Sequence, residues 1–340
     1  MRAFVFSGGA NRGALQAGAA LALLDSGIKP DLIVASSVGA INGACLAAEP
    51  TVEGVRRIAE RWKTVSCDEI FPGNTATMAW RLLRGSGSLH DNRGLRRFII
   101  GLLPPNVRRF GDLQVPLLVT ATKLSTGEMH LFGDQPRERL LDGLMASCAV
   151  PPFLPPYECR GELYIDGCFV SNLPISTAIE QGATEVWALE IGTDVSLTLP
   201  KRTVFNTLSR SVDTLVRLQM VRERELARLS QQTGVTIHHV QMLHYSGIDC
   251  HDFRHSAKLM DLGYETASAY LSQAPQRPTE LTPAEVPYFD RCKAVLQTSL
   301  AEQRRRVAQT AGQLRSLRLP RMPFGQRGAI PVPVAVEHES

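Results

Sequence analysis

Short apolar runs and helix-like segments alternate at the start of the chain. The runs Ala3–Phe6 and Leu32–Ala35 have the length of buried strands, and the segments that follow them, Gly13–Ser26 and Ala40–Ala48, have the pattern of helices. Gly27 follows the first helical segment, at a position where glycine commonly ends a helix. Because strands joined through a helix usually lie parallel in one sheet, this β-α-β-α order predicts a parallel sheet.

Strands and helices are also predicted along the rest of the chain, up to about residue 275. Residues 51–110 combine helices and loops, and we expect them to form a cap or entrance region. Two strand-like runs flank the turn Ser125-Thr126-Gly127, which predicts a hairpin. The further predicted strands are residues 115–122, 128–132, 163–165, 185–191 and 235–240, and the further predicted helices are residues 136–149, 204–230 and 252–271. Together these elements predict an α/β fold.

The pattern of the sequence changes near its end. Residues 283–317 have a helical pattern that includes Arg304-Arg305-Arg306, and residues 319–340 are rich in proline and arginine. We therefore expect residues 1–275 to form one domain and residues 276–340 to be a helical, basic C-terminal extension.

Composition limits the classes of function. The 37 basic and 33 acidic residues give a formal charge of +4, which argues against nucleic acid as a partner and suits a weak attraction to anionic membranes. The seven cysteines include no Cys-x-x-Cys pair and no metal-ligand spacing, so a reduced, cytoplasmic protein is expected. The N-terminus lacks the apolar stretch of a secretion signal, and no apolar run reaches the roughly 18 to 20 residues that span a bilayer. Any membrane contact is therefore expected to be peripheral.

Ser37 is the strongest candidate for chemistry. It lies between a predicted strand and a helix of small residues, in Ala35-Ser36-Ser37-Val38-Gly39, a G-x-S-x-G elbow with alanine in place of the first glycine. Small residues on both sides allow the helix to approach the strand closely. Alanine at position 35 is penalised if the backbone needs a positive φ there. Small-residue turns that contain serine are also common as purely structural features.

A glycine-rich loop, Ser7–Gly13, joins the first strand to the first helix. Backbone N–H groups at such a helix N-terminus can bind an anion or a developing oxyanion, and Arg12 would add a positive charge or order the loop. The loop is otherwise interpreted as a tight packing turn or as a dinucleotide site, since Gly8, Ala10 and Gly13 have the spacing of G-x-G-x-x-G. The nucleotide alternative also requires an acidic residue at the end of the second strand, where the chain instead continues into the candidate nucleophile.

A catalytic serine needs a group that accepts its proton. Asp166-Gly167 follows a short predicted strand, where a carboxylate can point into a cleft, although Asp-Gly is also an ordinary turn pair. Histidine is the usual base, and the downstream candidates are His238, His239, His244, His251 and His255. In α/β-hydrolases the nucleophile follows several strands, whereas Ser37 follows the second, so a pair of serine and aspartate is the simpler interpretation.

The loop, the elbow and the Asp-Gly pair, in this order, resemble the patatin-like phospholipase family. The resemblance extends over roughly residues 1–275 and includes three further segments, residues 116–128, Ala146–Pro151 and Asp166–Pro174. Ala10, Ala35 and Cys168 stand at positions where glycine is frequent in the family.

The resemblance implies a three-layer α/β/α sandwich with a mainly parallel central sheet. It implies hydrolysis of fatty-acyl esters of a lipid or membrane-surface substrate, as in a phospholipase or lysophospholipase, without a metal or other cofactor. The implied roles are nucleophile for Ser37, base for Asp166, oxyanion loop for Gly8, Gly9, Ala10, Arg12 and Gly13, and elbow support for Ala35, Gly39 and Gly167. The alternative is a lipid- or nucleotide-binding module that kept the fold and lost activity through the glycine substitutions.

Overall fold

The described part of the chain forms a central sheet covered by helices. The computed structural model describes residues 1–192, 204–231, 234–243, 248 and 252–273, so the expected extension at 276–340 lies outside the described residues. The strands are β1 (Arg2–Phe6), β2 (Leu32–Ser36), β3 (Leu117–Lys123), β4 (Met129–Phe132), β5 (Tyr157–Cys159), β6 (Glu162–Asp166), β7 (Glu185–Ile191) and β8 (Thr236–Met242). The helices are α1 (Gly13–Asp25), α2 (Val38–Ala48), α3 (Val52–Thr64), α4 (Cys67–Ile70), α5 (Thr75–Leu83), α6 (Arg93–Leu102), α7 (Leu140–Ser147), α8 (Ile175–Glu180), α9 (Val204–Gln231) and α10 (Ser256–Ser272).

The sheet has a parallel centre and an antiparallel end. Its hydrogen-bonded order is β5-β6-β3-β2-β1-β7-β8, and β4 also pairs with β3. Strands β3, β2, β1, β7 and β8 run parallel to one another, whereas β4 and β6 pair antiparallel with β3, and β5 pairs antiparallel with β6. The predicted parallel opening is confirmed, because Phe4 of β1 lies opposite Ile33 of β2. The predicted hairpin is also confirmed, as β3 and β4 are antiparallel neighbours.

Side chains of the strands alternate between two apolar layers, as the two-residue period of a strand requires. Phe4 and Phe6 of β1 lie in one cluster, together with residues of α1, α2, α3, α6, α7 and α10. Ala3 and Val5 lie in the other cluster, with residues of α8 and α9. The sheet is thus covered by helices on both faces, and the expected three-layer architecture is confirmed.

Some element boundaries differ from the sequence prediction. The helix predicted at 136–149 begins only at Leu140, because Arg139 pairs in an extended bridge with Arg109. Two short elements, β5 and α8, were not predicted. The region predicted as helices and loops at 51–110 contains α3, α4, α5 and α6.

Candidate active site

Ser37 lies in a tight turn between β2 and α2. Its backbone adopts φ +53° and ψ −130°, and the next residue begins α2. A positive φ is uncommon for a residue with a side chain, and such strained conformations cluster at functional sites. Ser37 is partly exposed, whereas all five residues of β2 are buried. The turn therefore has the strained strand-to-helix geometry that a nucleophile elbow requires.

The small residues beside Ser37 have different roles. A Cβ at Gly39 would lie 2.6 Å from the carbonyl oxygens of Phe6 and Ser7, so only glycine lets α2 pack this closely against the end of β1. Ala35 is a buried residue of β2 and does not have a positive φ. The penalty considered for alanine at position 35 therefore does not arise, and the positive φ falls on Ser37 itself.

Strand β3 brings Ser37 and Asp166 together. Ser36, the last residue of β2, pairs with Thr120 of β3. Asp166, the last residue of β6, pairs with the next residue of β3, Ala121. Because β4 occupies the opposite edge of this part of β3, β6 follows β2 along one edge. As a result, the Ser37 hydroxyl donates a hydrogen bond of 2.7 Å to Oδ2 of Asp166, although the two residues are 129 positions apart.

Asp166 is almost completely buried, with 1% of its surface exposed. Burial raises the pKa of its carboxyl group from 3.8 to about 6, because a charged carboxylate loses hydration there. Two hydrogen bonds act against this rise in pKa. The N–H of Cys168 donates to Oδ1 at 2.8 Å, and the Ser37 hydroxyl donates to Oδ2. Above about pH 6 the site thus holds an ionised carboxylate in hydrogen-bond contact with a serine hydroxyl. Such a pair can transfer a proton from serine to aspartate.

The loop between β1 and α1 lies beside Ser37. A Cβ at Gly8 would lie 3.0 Å from Cβ of Ser37 and would overlap Oδ1 of Asn172, so the loop can approach the serine only with glycine at this position. The N–H of Gly8 donates to the backbone carbonyl of Asn172 at 3.1 Å. Among the described residues, the N–H groups of Gly9 and Ala10 have no hydrogen-bond acceptor. These two N–H groups are therefore the candidate donors to a developing oxyanion.

Two other residues of the expected oxyanion loop use their N–H groups within the loop. Arg12 donates its N–H to the carbonyl of Gly9 at 3.2 Å, and Gly13 donates to the carbonyl of Ala10. The structure thus narrows the candidate oxyanion donors to Gly9 and Ala10. Ala10 has φ +54°, in the left-handed region that favours glycine, which gives a physical reason for glycine at this position in related sequences.

Ser147 supports the elbow from behind. Its fully buried hydroxyl oxygen accepts a hydrogen bond of 2.8 Å from the N–H of Ser37. Gly167, at the other side of the elbow, lies so close to Thr120 that a Cβ would overlap the Thr120 carbonyl oxygen. The sequence did not indicate a role for Ser147 itself, and the available signal was the family-like segment Ala146–Pro151.

Glu223 of α9 holds the segment that follows Asp166. Its carboxylate accepts hydrogen bonds from the hydroxyls of Ser171 and Ser176, at 3.1 and 2.9 Å, and from the N–H of Ser176 at 3.0 Å. Asn172, which lies within this segment, in turn accepts the N–H of Gly8. Glu223 therefore fixes the contact between this segment and the oxyanion loop, and no motif in the sequence points to it.

The described histidines contact neither Ser37 nor Asp166. They have other neighbours: His239 pairs with Glu190, His238 stacks on Trp187 at 3.9 Å, and His255 lies 3.4 Å from Asp252. The other two candidates, His244 and His251, lie outside the described residues. Among the residues that the structure describes, no group of three or more His, Cys, Asp or Glu side chains is arranged to hold a metal ion.

Comparison with known proteins gives one family and several relatives. The family model described as patatin-like phospholipase matches residues 4–179, which are 176 of the 340 residues and include the loop, Ser37 and Asp166. Patatin-like phospholipase domain-containing protein 7 of Rattus norvegicus is 29% identical over 191 residues, which cover 56% of this chain and 13% of that protein. Lysophospholipase NTE1 of Mycosarcoma maydis is 25% identical over 55% of this chain and 9% of that protein. The match thus spans only a small part of these relatives.

Comparison with solved structures gives distant similarities, of which two are described. VipD from Legionella pneumophila has a TM-score of 0.44 and 13% identity, with 79% of this chain and 66% of that chain covered. Human GIVD cytosolic phospholipase A2 has a TM-score of 0.37 and 14% identity, with 80% of this chain and 58% of that chain covered.

Proposed function

Because this chain belongs to the patatin-like phospholipase family, we propose that it hydrolyses fatty-acyl esters of lipids, with Ser37 as the nucleophile and Asp166 as the base. The observation that carries the proposal is the hydrogen bond of 2.7 Å from the Ser37 hydroxyl to Oδ2 of Asp166. The raised pKa of Asp166, about 6, supports it further, because a general base works best when its pKa lies near the working pH.

In the first half of the reaction, Oγ of Ser37 attacks the carbonyl carbon of the ester while its proton passes to Asp166. The carbonyl oxygen becomes an oxyanion, which accepts hydrogen bonds from the N–H groups of Gly9 and Ala10. Helix α2 begins at Val38, and the partial positive charge of its N-terminus lies beside the serine. When the oxyanion collapses, the alcohol leaves with the proton from Asp166, and the acyl group remains on Ser37.

In the second half, the same carboxylate removes a proton from a water molecule that attacks the acyl-enzyme. The second oxyanion forms in the same loop, and its collapse returns the proton to Ser37 and releases the fatty acid. One buried carboxylate thus acts as base and acid in turn, which explains how the site can work without a histidine.

The substrate class follows from the family and from two relatives. Proteins similar to this chain are named phospholipase and lysophospholipase, and we extend that lipid class to this chain. Among the helices of the described ranges, none has the length and apolar character needed to cross a membrane. Because lipids of this class assemble in water, we expect the substrate to be met at the surface of a membrane or micelle.

The test compares two site variants with a neighbouring serine variant. Ser37→Ala and Asp166→Asn should each lower the hydrolysis of p-nitrophenyl acyl esters on the order of 100-fold or more, because each removes one partner of proton transfer. Ser36→Ala is the matched control: Ser36 is fully buried, and its hydroxyl makes no hydrogen bond in the described part of the chain. This control should keep wild-type turnover.

A fluorophosphonate probe separates the two candidate functions. The probe reacts covalently with an activated serine, so the wild-type protein and Ser36→Ala should be labelled, and Ser37→Ala should not. Wild-type turnover in Ser37→Ala would disprove the proposed mechanism. A folded wild-type protein that neither reacts with the probe nor hydrolyses esters would favour the lipid- or nucleotide-binding module.

A further inference from the structure

Helix α5 exposes large apolar side chains. Trp80 is 54% exposed and Leu83 is 83% exposed, and no residue of α5 is buried. Together with Ala76 and Ala79, which are also exposed, they have the i, i+3, i+4, i+7 spacing of one helix face. The polar Arg81 instead turns inward and donates hydrogen bonds to Ser88. We call the outward stripe Ala76, Ala79, Trp80 and Leu83 the α5 face.

An apolar face that points away from the protein normally has a partner. Burying apolar surface is favourable by about 25 cal/mol per Å², and large exposed apolar patches mark interaction sites. Helices that lie on a membrane surface have this character, with tryptophan and leucine on the apolar side and basic residues beside them. Trp80 suits the boundary between lipid and water, because its ring combines apolar surface with a polar N–H.

Arginines lie next to Trp80 and in a cavity beside α5. Arg84 places its guanidinium 4.3 Å from the centre of the Trp80 ring. Next to α5, a cavity of about 560 Å³ is lined by Thr77 of α5 and by Arg93, Arg96 and Arg97, among others. Arg93 pairs with Asp91, whereas Arg96 and Arg97 form no ion pair with any described residue.

The positive charge at this surface fits an anionic partner. Each arginine near a negatively charged membrane contributes roughly 1 kcal/mol of attraction, so Arg96 and Arg97 together with the apolar stripe provide the two kinds of contact that membrane binding needs. An apolar protein surface would use the stripe but would offer no negatively charged group to Arg96 and Arg97.

The segment after α5 connects this surface to the region of the catalytic residues. Leu89 and His90 donate their N–H groups to the carbonyls of Pro152 and Phe153, at 2.8 and 2.9 Å. A few residues earlier, the carbonyl of Ala149 accepts the N–H of Asp166. A membrane bound at α5 would therefore be connected to the proposed base through hydrogen-bonded neighbouring segments.

We propose that α5 docks the protein on anionic membranes, with Trp80 and Leu83 inserted among the lipids and with Arg96 and Arg97 bound to lipid phosphates. This inference rests on the proposed function, because a lipid substrate is the reason to expect a membrane at this surface. It goes further in naming the docking element and the charge of the membrane.

Tryptophan fluorescence tests the insertion directly. The chain has three tryptophans, and Trp62 and Trp187 are only 2% and 4% exposed, so a change of solvent on binding is reported by Trp80. Vesicles of phosphatidylcholine with phosphatidylserine should shift the emission of the full-length protein to shorter wavelength. Trp80→Phe should still bind and lose this shift.

Vesicle sedimentation tests the two kinds of contact separately. Trp80→Ser/Leu83→Ser should lower binding to the phosphatidylserine vesicles at least about tenfold, because two apolar side chains no longer insert. Arg96→Glu/Arg97→Glu should also lower binding to the phosphatidylserine vesicles at least about tenfold. The same variant should change binding to pure phosphatidylcholine vesicles little. The matched controls, Leu124→Ser/Leu163→Ser and Arg108→Glu/Arg137→Glu, alter exposed residues elsewhere and should bind like the wild-type protein.

The results that overturn the docking proposal differ from those that overturn the proposed function. All docking variants should hydrolyse soluble p-nitrophenyl butyrate at the wild-type rate, which shows that they are folded and that the catalytic site is intact. Unchanged vesicle binding by both α5-surface variants would overturn the docking proposal alone. A second result would also overturn it: the wild-type protein binds no vesicles and forms dimers, and Trp80→Ser/Leu83→Ser abolishes these dimers. The α5 face would then serve self-association.

Discussion

Burial makes Asp166 a stronger base for the proposed reaction and also costs stability. A carboxylate with a pKa of about 6 holds a proton more firmly than one at 3.8, so it is a stronger base that is still ionised near neutral pH. The same lack of hydration that raises the pKa disfavours the charged form in the folded protein. The hydrogen bonds from Ser37 and Cys168 offset part of this penalty.

The pH dependence of activity and stability should therefore move in opposite directions. Esterase kcat/KM should rise with pH and be half-maximal near pH 6, because Asp166 accepts a proton only when ionised. Its raised pKa favours folding at low pH, and this contribution is lost as pH rises from about 4 through about 6. The Asp166→Asn protein has no carboxyl group at this position and does not lose this stabilisation. The difference between its free energy of unfolding and that of the wild-type protein should therefore increase by on the order of 1 kcal/mol between pH 5 and 8.

Denaturant unfolding of both proteins at several pH values measures this difference. A constant difference across the range, or a half-maximal activity near pH 4, would show that the carboxyl group titrates normally and is not the buried base.

Ser147 should control how well the elbow holds Ser37. In Ser147→Ala, the Ser37 N–H loses its acceptor, and an unsatisfied buried group of this kind costs about 1 to 3 kcal/mol. We expect the elbow to relax, with kcat about tenfold lower and KM little changed, because the substrate surface stays intact. The rate of fluorophosphonate labelling should fall in parallel.

Ser36→Ala again provides the comparison, since both serines are fully buried and both variants lose one hydroxyl. If Ser147→Ala were labelled at the same rate as Ser36→Ala, the hydrogen bond to Ser37 would have no role in positioning the nucleophile.

Residues of the site differ in how far the sequence reveals them. Ser37 follows a strand and precedes small residues, and Asp166 precedes a glycine, so both lie in recognisable local patterns. Glu223 lies on a long helix among other charged residues, and its role depends on contacts with Ser171 and Ser176 that only the folded chain creates. Gly9 and Ala10 are the remaining candidate oxyanion donors because the N–H groups of the other expected loop residues form hydrogen bonds. A motif does not specify these hydrogen bonds.

At the scale of elements, β3 determines the geometry of the site. The sequence predicts this strand and its hairpin with β4 from alternation and a glycine turn, since both signals are local. It does not predict that β6 follows β2 along the same edge of β3, because strand pairing depends on contacts between distant segments. The short elements β5 and α8 have too few residues to show a period, which explains why they were missed.

Helix α5 shows a different limit of sequence analysis at this scale. Its pattern is amphipathic, and the usual interpretation places the apolar side against the core. In α5, Trp80 and Leu83 are instead exposed, and Arg81 forms hydrogen bonds with Ser88. An amphipathic pattern thus predicts a helix and an apolar face, whereas the direction of that face depends on which neighbours the fold supplies.

At the scale of the whole molecule, the last described helix, α10, packs against the first helix, α1. A Cβ at Gly18 of α1 would overlap the carbonyl of Met260, and a Cβ at Gly263 of α10 would overlap the carbonyl of Leu15. The two helix backbones therefore pack in direct contact, although one follows the first strand and the other follows the last strand described. The boundary expected near residue 275 stays a prediction, and α10, the last described element, ends at Ser272.

A chain that ends at residue 275 should therefore fold and keep its active site. Its core includes both apolar layers and the contact between α1 and α10, so we expect cooperative thermal unfolding within a few degrees of the full-length protein and equal labelling of Ser37 by the fluorophosphonate probe. A chain that ends at residue 255 lacks α10 and leaves buried Leu15, Leu23 and neighbouring residues of α1 uncovered. This shorter chain should aggregate or unfold well below the longer one, since several large apolar side chains lose about 1.5 to 3 kcal/mol each when fully exposed. If the chain ending at 275 behaved like the chain ending at 255, the catalytic domain would require residues 276–340.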